Sequence, residues 1–256
     1  MNKIKSGETG MKRLEKVFDK EKWIPKTELG KKVKKGEIIH IDQILLKGQK
    51  ILEPEIVDAL LPDLKYDLLT IGQSKGKFGG GKRSIWKQTQ KKTREGNKPK
   101  FSTLVVVGNK DGYVGLGKGK AKETVPAREK AIRQAKLNII SITRGCGSWE
   151  CGCSTSHSIP FKTKGKSGSI VITLMPAPKG VGLVSEGQVR KILEFAGIKD
   201  VYSKARGNTT TKLNLLYACF NALKKLNKIK IPTQYIEKAG VTFGGSKDGK
   251  EKTSDS

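Results

Sequence analysis

"FSTLVVVGNKDGYVGLGKGKAKE", residues 101–123, carries the clearest structural signal in this chain. The run "STLVVVG" is typical of a buried strand, "NKDG" of a tight turn and "YVGLG" of a second strand, so the stretch predicts a β-hairpin. From about Val125 a helical pattern follows, with Ala127, Ala131 and Ala135 on one face and basic residues on the other. A hairpin beside a helix with one apolar face predicts a mixed α+β domain.

Further elements flank this unit on both sides. Downstream, "IPFKTKGKSGSIVITLMPAP" (residues 159–178) contains two strands around a Gly/Ser turn. A helix closed by Gly197, a strand and a last long helix follow it. Upstream, "GEIIHIDQILLKGQKILEPEIVDALLPDL" (residues 36–64) contains two short helical patterns. The chain is therefore predicted to be α+β, with a helical N-terminal extension and two folded domains.

The charge of the chain is strongly basic and unevenly placed. Fifty-two Lys and Arg residues outnumber 24 Asp and Glu residues, which gives a formal net charge of +28. Residues 1–70 hold 15 basic and 12 acidic side chains (net +3), so residues 71–256 hold 37 and 12 (net +25). Such an excess repels itself unless a polyanion neutralises it, and nucleic acid is the commonest polyanion that covers a whole surface.

An anionic membrane is the alternative polyanion, and the sequence argues against it. No apolar run approaches the roughly 18 residues of a spanning helix. The start "MNKIKSGETG" lacks the apolar region of a signal peptide. Four cysteines without such a signal are typical of a reducing compartment. We therefore expect a cytoplasmic protein that binds nucleic acid and has no membrane partner.

The most basic stretch is residues 72–100, with ten Lys and Arg, one Glu and six Gly. This composition predicts a glycine-rich arm that is mobile in the free protein and ordered on RNA, with Phe78 and Trp86 as stacking anchors. A solvated, disordered loop is the alternative. The candidate RNA-binding residues of the chain are Lys82, Arg83, Trp86, Lys87, Lys91, Lys92, Arg94, Lys98, Lys100, Lys118, Lys120, Lys122, Arg128, Lys162, Lys164 and Lys166.

"RGCGSWECGCSTSH", residues 144–157, holds three of the four cysteines and one of the two histidines. The pattern Cys146-x4-Cys151-x-Cys153-x3-His157 offers three thiolates and an imidazole, which is the ligand set of a closed structural zinc site. Nearby Arg144 and Lys162 would help to stabilise anionic thiolates. The alternative is a set of reduced cysteines that line a tight turn under Trp149. The one cofactor that the sequence suggests is therefore a structural zinc ion.

"PAPKGVGLVS", residues 176–185, suggests a competing function. It loosely resembles the phosphate loop of the galactokinase/homoserine kinase superfamily, in which glycines and a serine face a triphosphate. The alternatives are a tight glycine turn, or a turn whose N–H groups bind the phosphate backbone of RNA. Because no acidic residue is evidently placed to act as a base or to hold magnesium, we expect no enzyme; a small-molecule kinase is the alternative function.

Four stretches together resemble one known family. They are "FSTLVVVGNKDGYVGLGKGKAKE", "AIRQAKLNIISITRGCGSWECGC", "HSIPFKTKGKSGSIVITLMPAPKGVGLV" and "AGIKDVYSKARGNT". The chain resembles the universal small-subunit ribosomal protein S-five family, called S-two in eukaryotes, and "CGSWECGC" resembles its archaeal members. The resemblance implies a structural role in the small ribosomal subunit of the cytoplasm, where the protein would bind small-subunit ribosomal RNA. It also implies contact with protein S-four, a place near the messenger-RNA entry, and effects on assembly and decoding accuracy.

The resemblance also implies an organisation into domains. Residues 66–142 would form a domain like the double-stranded-RNA-binding fold, and residues 158–230 an α/β domain with an unusual left-handed crossover. Residues 1–65 would be the N-terminal extension, residues 143–157 the Cys-rich connector and residues 231–256 a polar tail. The family's inter-strand loop corresponds to residues 88–101, and residues 76–87 look like an insertion. Relatives without the cysteines keep a histidine at position 157, so His157 could instead contact RNA or cap a turn.

Overall fold

The structure is a computed structural model that describes residues 22–74 and 83–245. It is a mixed α+β fold, which confirms the predicted class. The first sheet contains β1 (Lys65–Leu69), β2 (Lys87–Thr93), β3 (Gly96–Gly108), β4 (Tyr113–Ala121) and β5 (Ile139–Ser141). All of its pairings are antiparallel.

Strand β3 is the longest strand and organises the first sheet. Its C-terminal half pairs with β1, and its N-terminal half pairs with β2 along the same edge. Strand β4 pairs with the other edge of β3, and β5 pairs with β4. Because β1 and β2 follow one another along one edge, the chain between them leaves the sheet at Gly72 and returns at Ser84, whose carbonyl accepts the Gly72 N–H at 2.8 Å.

One face of the first sheet is covered by helix α4 (Thr124–Leu137), close to the predicted start. The helix lies against three alternate glycines of β4. A Cβ atom on Gly117 would lie 2.1 Å from the backbone nitrogen of Ala135, and one on Gly119 would lie 1.9 Å from the carbonyl of Ala127. The pattern "GLGKGK" (residues 115–120) therefore allows close contact between helix and sheet on one face and leaves Lys118 and Lys120 on the other.

The N-terminal extension is helical, as predicted, and it packs on the first domain. Its helices are α1 (Glu28–Lys35), α2 (Asp42–Leu46) and α3 (Pro54–Leu60). Helix α1 begins after Thr27, whose hydroxyl accepts the Gly30 N–H at 3.1 Å, and ends at Gly36 in the left-handed conformation. The apolar side chains of the extension form one cluster with Tyr113 and Ile139 of the first sheet. The extension is therefore an integral layer of the fold.

The second sheet has the strand order β7-β8-β10-β9. Its strands are β7 (Thr163–Ser167), β8 (Ile170–Pro176), β9 (Leu183–Val184) and β10 (Val201–Arg206), and its helices are α5 (Gly187–Phe195) and α6 (Lys212–Leu226). Strands β9 and β10 are parallel and are joined through α5, so this connection is the crossover that the resemblance implies.

The two predicted domains share one continuous apolar core. Leu104, Val106 and Leu116 of the first sheet lie in the same buried cluster as Ile172 and Leu216 of the second. The turn before β4 also contacts the end of α5, since the N–H groups of residues 110 and 112 donate to the carbonyls of residues 195 and 196. The boundaries at residues 65, 142, 157 and 230 stay a prediction.

Two segments expected to be irregular contain regular structure. Within the arm expected over residues 72–100, residues 87–100 belong to an antiparallel hairpin, because β2 pairs with the first residues of β3 from Thr93↔Gly96 to Lys87↔Ser102, whereas residues 75–82 lie outside the described residues. The polar tail expected over residues 231–256 includes helix α7 (Thr233–Lys238) and strand β11 (Thr242–Phe243), and its residues 246–256 lie outside the described residues. Strand β11 pairs with β6 (Thr143–Arg144), so this segment returns to the connector between the domains.

Candidate RNA-binding surface and metal centre

Six lysines lie on one face of the first sheet. Side chains alternate along a strand, and directly opposed residues of antiparallel strands point to the same side. Lys118 is opposite Leu104, which enters the shared core, and Lys120 is opposite Ser102, which is also opposite Lys87 on the other edge. By the same alternation, Lys91, Lys98 and Lys100 of the β2–β3 hairpin point to this side of the sheet. This lysine face consists of Lys87, Lys91, Lys98, Lys100, Lys118 and Lys120, all of them exposed.

The lysine face contains almost no compensating negative charge. Strands β2, β3 and β4 contain no Asp or Glu. Glu95, in the turn between β2 and β3, lies 2.7 Å from Lys98, but both side chains are mostly exposed, so the pair contributes little. Lys91 lies directly opposite Lys98, and like charges in such pairs repel. The surface is therefore suited to a polyanion.

The other candidates of the first domain do not join this face. Lys92 lies on the opposite side of β2, opposite Asn97, and Arg128 lies on α4, which covers that opposite side. Arg83 and Trp86 are half-buried at the start of the hairpin. Exposed cations also lie in the β2–β3 turn and just after β4, at Arg94 and Lys122. Lys82 and Phe78 lie outside the described residues.

The second sheet carries a smaller basic face that includes two residues missed at the sequence level. Lys164 and Lys166 point away from α6, because a Cβ on the intervening Gly165 would lie 2.0 Å from the carbonyl of Ala218. Lys204 is aligned with Lys164, since both are paired with Thr173, and Arg206 is aligned with Lys166 through Val171. Lys162, just before β7, is also exposed. The alternation in "VYSKAR" around buried Val201 was the signal that would have found Lys204 and Arg206.

The four side chains of the predicted zinc site meet in one place. The ligand atoms of Cys146, Cys151, Cys153 and His157 all lie within 4.8 Å of one another. Cys151 Sγ and His157 Nε2 are 3.9 Å apart. A zinc tetrahedron with Zn–S bonds of about 2.3 Å places two sulfur atoms about 3.8 Å apart. Shifts of about 1 Å would therefore close this set around an ion.

The three thiols differ in their surroundings. Burial raises the pKa of the Cys146 thiol to about 11. The hydroxyl of Thr155, 3.1 Å from Cys153 Sγ, lowers the pKa of that more exposed thiol to about 6. Cys219 lies apart from the cluster in α6, where complete burial raises its pKa to about 12. The cluster is thus open to solvent on the Cys153 side and closed on the Cys146 side, whereas Cys219 is a core residue.

The connector is held by the C-terminal segment and is not covered by its own tryptophan. The Cys146 N–H donates to the carbonyl of Ala239 at 2.7 Å, and the Ser154 hydroxyl donates to that of Lys238 at 2.9 Å. Trp149 is 92% exposed, so it does not cover the cysteines as the alternative interpretation required. Arg144 does not serve the thiolates either, because its Nη2 lies 2.6 Å from Asp111 Oδ1 in the first domain.

The glycine turn of residues 178–182 does not present a free phosphate cradle. The N–H groups of Gly180 and Gly182 donate to Asp200 Oδ1 at 3.1 and 2.8 Å. These are backbone donors that a bound phosphate would require. A protein carboxylate already occupies them, which argues against the kinase alternative. Among the described residues, no helix is long and apolar enough to span a membrane.

The fold and its surfaces define a basic, structural α+β protein suited to a polyanionic partner. Comparison with known proteins is consistent with this class. Residues 85–143 match the family model described as ribosomal protein S5, N-terminal domain, and residues 165–238 match that of ribosomal protein S5, C-terminal domain. The chain therefore belongs to the ribosomal protein S5 family, which confirms the resemblance seen in the sequence.

Archaeal relatives match nearly the whole chain. It is 49% identical over 224 residues to small ribosomal subunit protein uS5 of Nanoarchaeum equitans, covering 88% of this chain and 96% of the relative. It is 50% identical over 227 residues to the uS5 protein of Methanocaldococcus jannaschii, covering 89% and 98%. The protein is accordingly a structural constituent of the small subunit of the cytoplasmic ribosome, of archaeal type, and not an enzyme.

Proposed function

We propose that the lysine face is the main surface through which this ribosomal protein binds small-subunit ribosomal RNA. The observation that carries the proposal is the register of β2, β3 and β4, which places six exposed lysines on one side of the sheet, while these three strands contain no Asp or Glu. Neutralising phosphates releases counterions and relieves the repulsion within the face. The basic face of the second sheet, with Lys164, Lys166, Lys204 and Arg206, would contact RNA in a second place.

The finer role in the ribosome is part of the same proposal. Bound through these faces, the protein would lie near the messenger-RNA entry beside protein S-four and would support subunit assembly and decoding accuracy. The support for this placement is family membership together with the two basic faces. The continuous core between the domains adds a physical reason, because it would hold the two faces in a fixed relation to each other.

The test uses pairs of lysines on opposite sides of the first sheet. We expect the double variant Lys91→Gln/Lys98→Gln to bind archaeal small-subunit ribosomal RNA more weakly at about 0.1 M salt. Its log–log salt slope should be smaller by about 1.4–1.8, since each lost phosphate contact removes about 0.7–0.9. Filter binding between 50 and 300 mM KCl measures both quantities.

The matched control removes the same charge from the other side of the sheet. Lys92 lies on the opposite face of β2, and Lys130 is exposed on α4. Lys92→Gln/Lys130→Gln should keep the slope of the unmodified protein. Equal loss of slope in both double variants would show that total charge, and not the lysine face, determines binding.

The Cys-rich connector is a structural zinc site in this proposal. Support comes from the four ligand atoms within 4.8 Å of one another and from the closed ligand set, which leaves no position for a substrate. Zinc would supply rigidity by tying residues 146–157 together at the junction of the domains. It would also fix the backbone to which α7 and β11 attach.

Elemental analysis of carefully purified protein tests the zinc site. We expect about one zinc per chain, and we expect Cys151→Ser to lower the zinc content and the thermal midpoint together, because binding free energy at such a site is also folding free energy. Cys219→Ser is the control, since Cys219 is buried away from the cluster and its variant should keep its zinc. Metal-free protein, with an unchanged midpoint in Cys151→Ser, would contradict the proposal.

A further inference from the structure

Asp200 is a buried carboxylate that contacts the candidate zinc ligand His157 from a distant part of the chain. It stands directly before β10, and its side chain is only 6% exposed, as is that of His157. Asp200 Oδ2 lies 2.7 Å from His157 Nδ1. Its other oxygen, Oδ1, accepts the N–H groups of Gly180 and Gly182. One side chain therefore joins the connector to the glycine turn.

The contact with Asp200 fixes which ring nitrogen of His157 can bind a metal. A carboxylate oxygen only accepts, so the proton lies on Nδ1, and Nε2 is left with a free lone pair. That nitrogen faces Cys151 Sγ at 3.9 Å. The backbone secures the same geometry, because the His157 carbonyl accepts the N–H groups of Lys199 and Asp200 at 2.9 and 3.1 Å. The ring is thus oriented toward the thiols before any ion arrives.

The glycine turn depends on the same carboxylate. Gly180 and Gly182 have φ values of 95° and 74°, a backbone conformation that favours glycine. Their N–H groups point inward to Asp200 Oδ1, while Lys179 and Val181 are exposed. If Asp200 moved, the turn would lose both of these contacts. The position of the carboxylate therefore affects His157 on one side and the turn on the other.

We infer that Asp200 is a positioning residue of the metal centre and that it couples metal binding to the order of the turn at residues 178–182. The inference rests on the proposed zinc site. A metal on Nε2 holds the imidazole against Asp200, and the held carboxylate in turn fixes the Gly180 and Gly182 amides. Because coupling between two equilibria is reciprocal, loosening the turn also weakens the metal site.

The test is Asp200→Asn in the full chain. Asparagine has one acceptor oxygen and one NH2 group, so it cannot accept both from the His157 ring and from the glycine amides. We expect zinc affinity to fall about 10–100-fold, the usual effect of losing such a partner of a ligating histidine. Competition with a chromophoric chelator measures the affinity. Amide hydrogen exchange at Gly180 and Gly182 should be faster in the variant and also in metal-free unmodified protein.

Asp111→Asn is the matched control, because Asp111 pairs with Arg144 and is not part of the cluster; its zinc affinity should be unchanged. If Asp200→Asn does not fold, Asp200→Glu replaces it, since the longer side chain keeps the charge but displaces the carboxylate. If the unmodified protein binds one zinc ion per chain and the Asp200 variant binds zinc with the same affinity, this inference is overturned but the zinc site is not. An unmodified protein that binds no zinc overturns the zinc site and this inference together.

Discussion

Single glycines in β4 determine how closely α4 can approach the first sheet. A Cβ atom on Gly115 would lie 2.2 Å from the Ala135 carbonyl oxygen, and one on Gly117 would lie 2.1 Å from the Ala135 nitrogen. These neighbours are helix backbone and cannot rotate away as a flexible side chain could. The facing positions of the helix are alanines for the same reason, since larger side chains there would hold the backbones apart.

We predict that Gly117→Ala destabilises the protein by about 1–3 kcal/mol, the usual cost of overpacking a well-packed core. Gly187→Ala is the control, because Gly187 is the first residue of α5 and has open space where the Cβ would lie. That variant should be neutral or more stable by about 0.4–1 kcal/mol. Urea unfolding of both variants measures the difference, and equal stabilities would contradict the proposed helix–sheet contact.

At the scale of elements, the apolar patterns predicted the structure and the polar segments did not. Helices α4 and α6 each have a buried face, and strands β3 and β4 each contain a continuous buried run, so their apolar patterns are visible in the sequence. Strand β2 reads "KQTQKKT", is almost wholly exposed and has no apolar alternation. It is a strand because the free edge of β3 offers backbone partners. This non-local cause leaves no trace in local composition.

The C-terminal segment was missed for a related reason. Helix α7 has six residues and no fully buried side chain, and β11 has two residues. Elements this short are held by their neighbours and not by their own propensity. Tyr235 illustrates this dependence, because its hydroxyl donates to the carbonyl of Pro160 at 3.0 Å, 75 residues away.

The candidate metal site likewise combines residues that are close together in the sequence with one that is distant. Its four ligands lie within 12 residues of one another and could be recognised from spacing and chemistry. Asp200 is 43 residues from His157, and nothing in its local sequence marks it as a partner of a cysteine cluster. The folded chain brings it there, because the crossover through α5 returns the chain to the connector where β10 begins.

At the scale of the whole molecule, acidic and basic residues are sorted unevenly over the fold. Two acidic residues of the N-terminal part pair with basic residues of other elements, Lys136–Asp58 at 2.6 Å and Lys191–Asp67 at 2.7 Å. Burial outweighs the lysine at Asp58 and raises the pKa of that carboxyl above its usual value. Strands β2, β3 and β4 contain no acidic residue and the Glu95–Lys98 pair beside them is mostly exposed, so much of the excess positive charge repels itself in the free protein.

This sorting predicts that salt stabilises the free protein. Between about 0.1 and 1 M NaCl the Debye length falls from about 10 to about 3 Å, so repulsion across the lysine face is screened. We expect the thermal midpoint to rise over this range, and to rise less when all six lysines of the face are changed to glutamine. Chloride is used because sulfate would also strengthen apolar burial. A midpoint that falls with salt would show that favourable ion pairs outweigh repulsion. If the thermal midpoint of the six-residue variant rises by the same amount, the repulsion that results from the +28 net charge is not concentrated on this face.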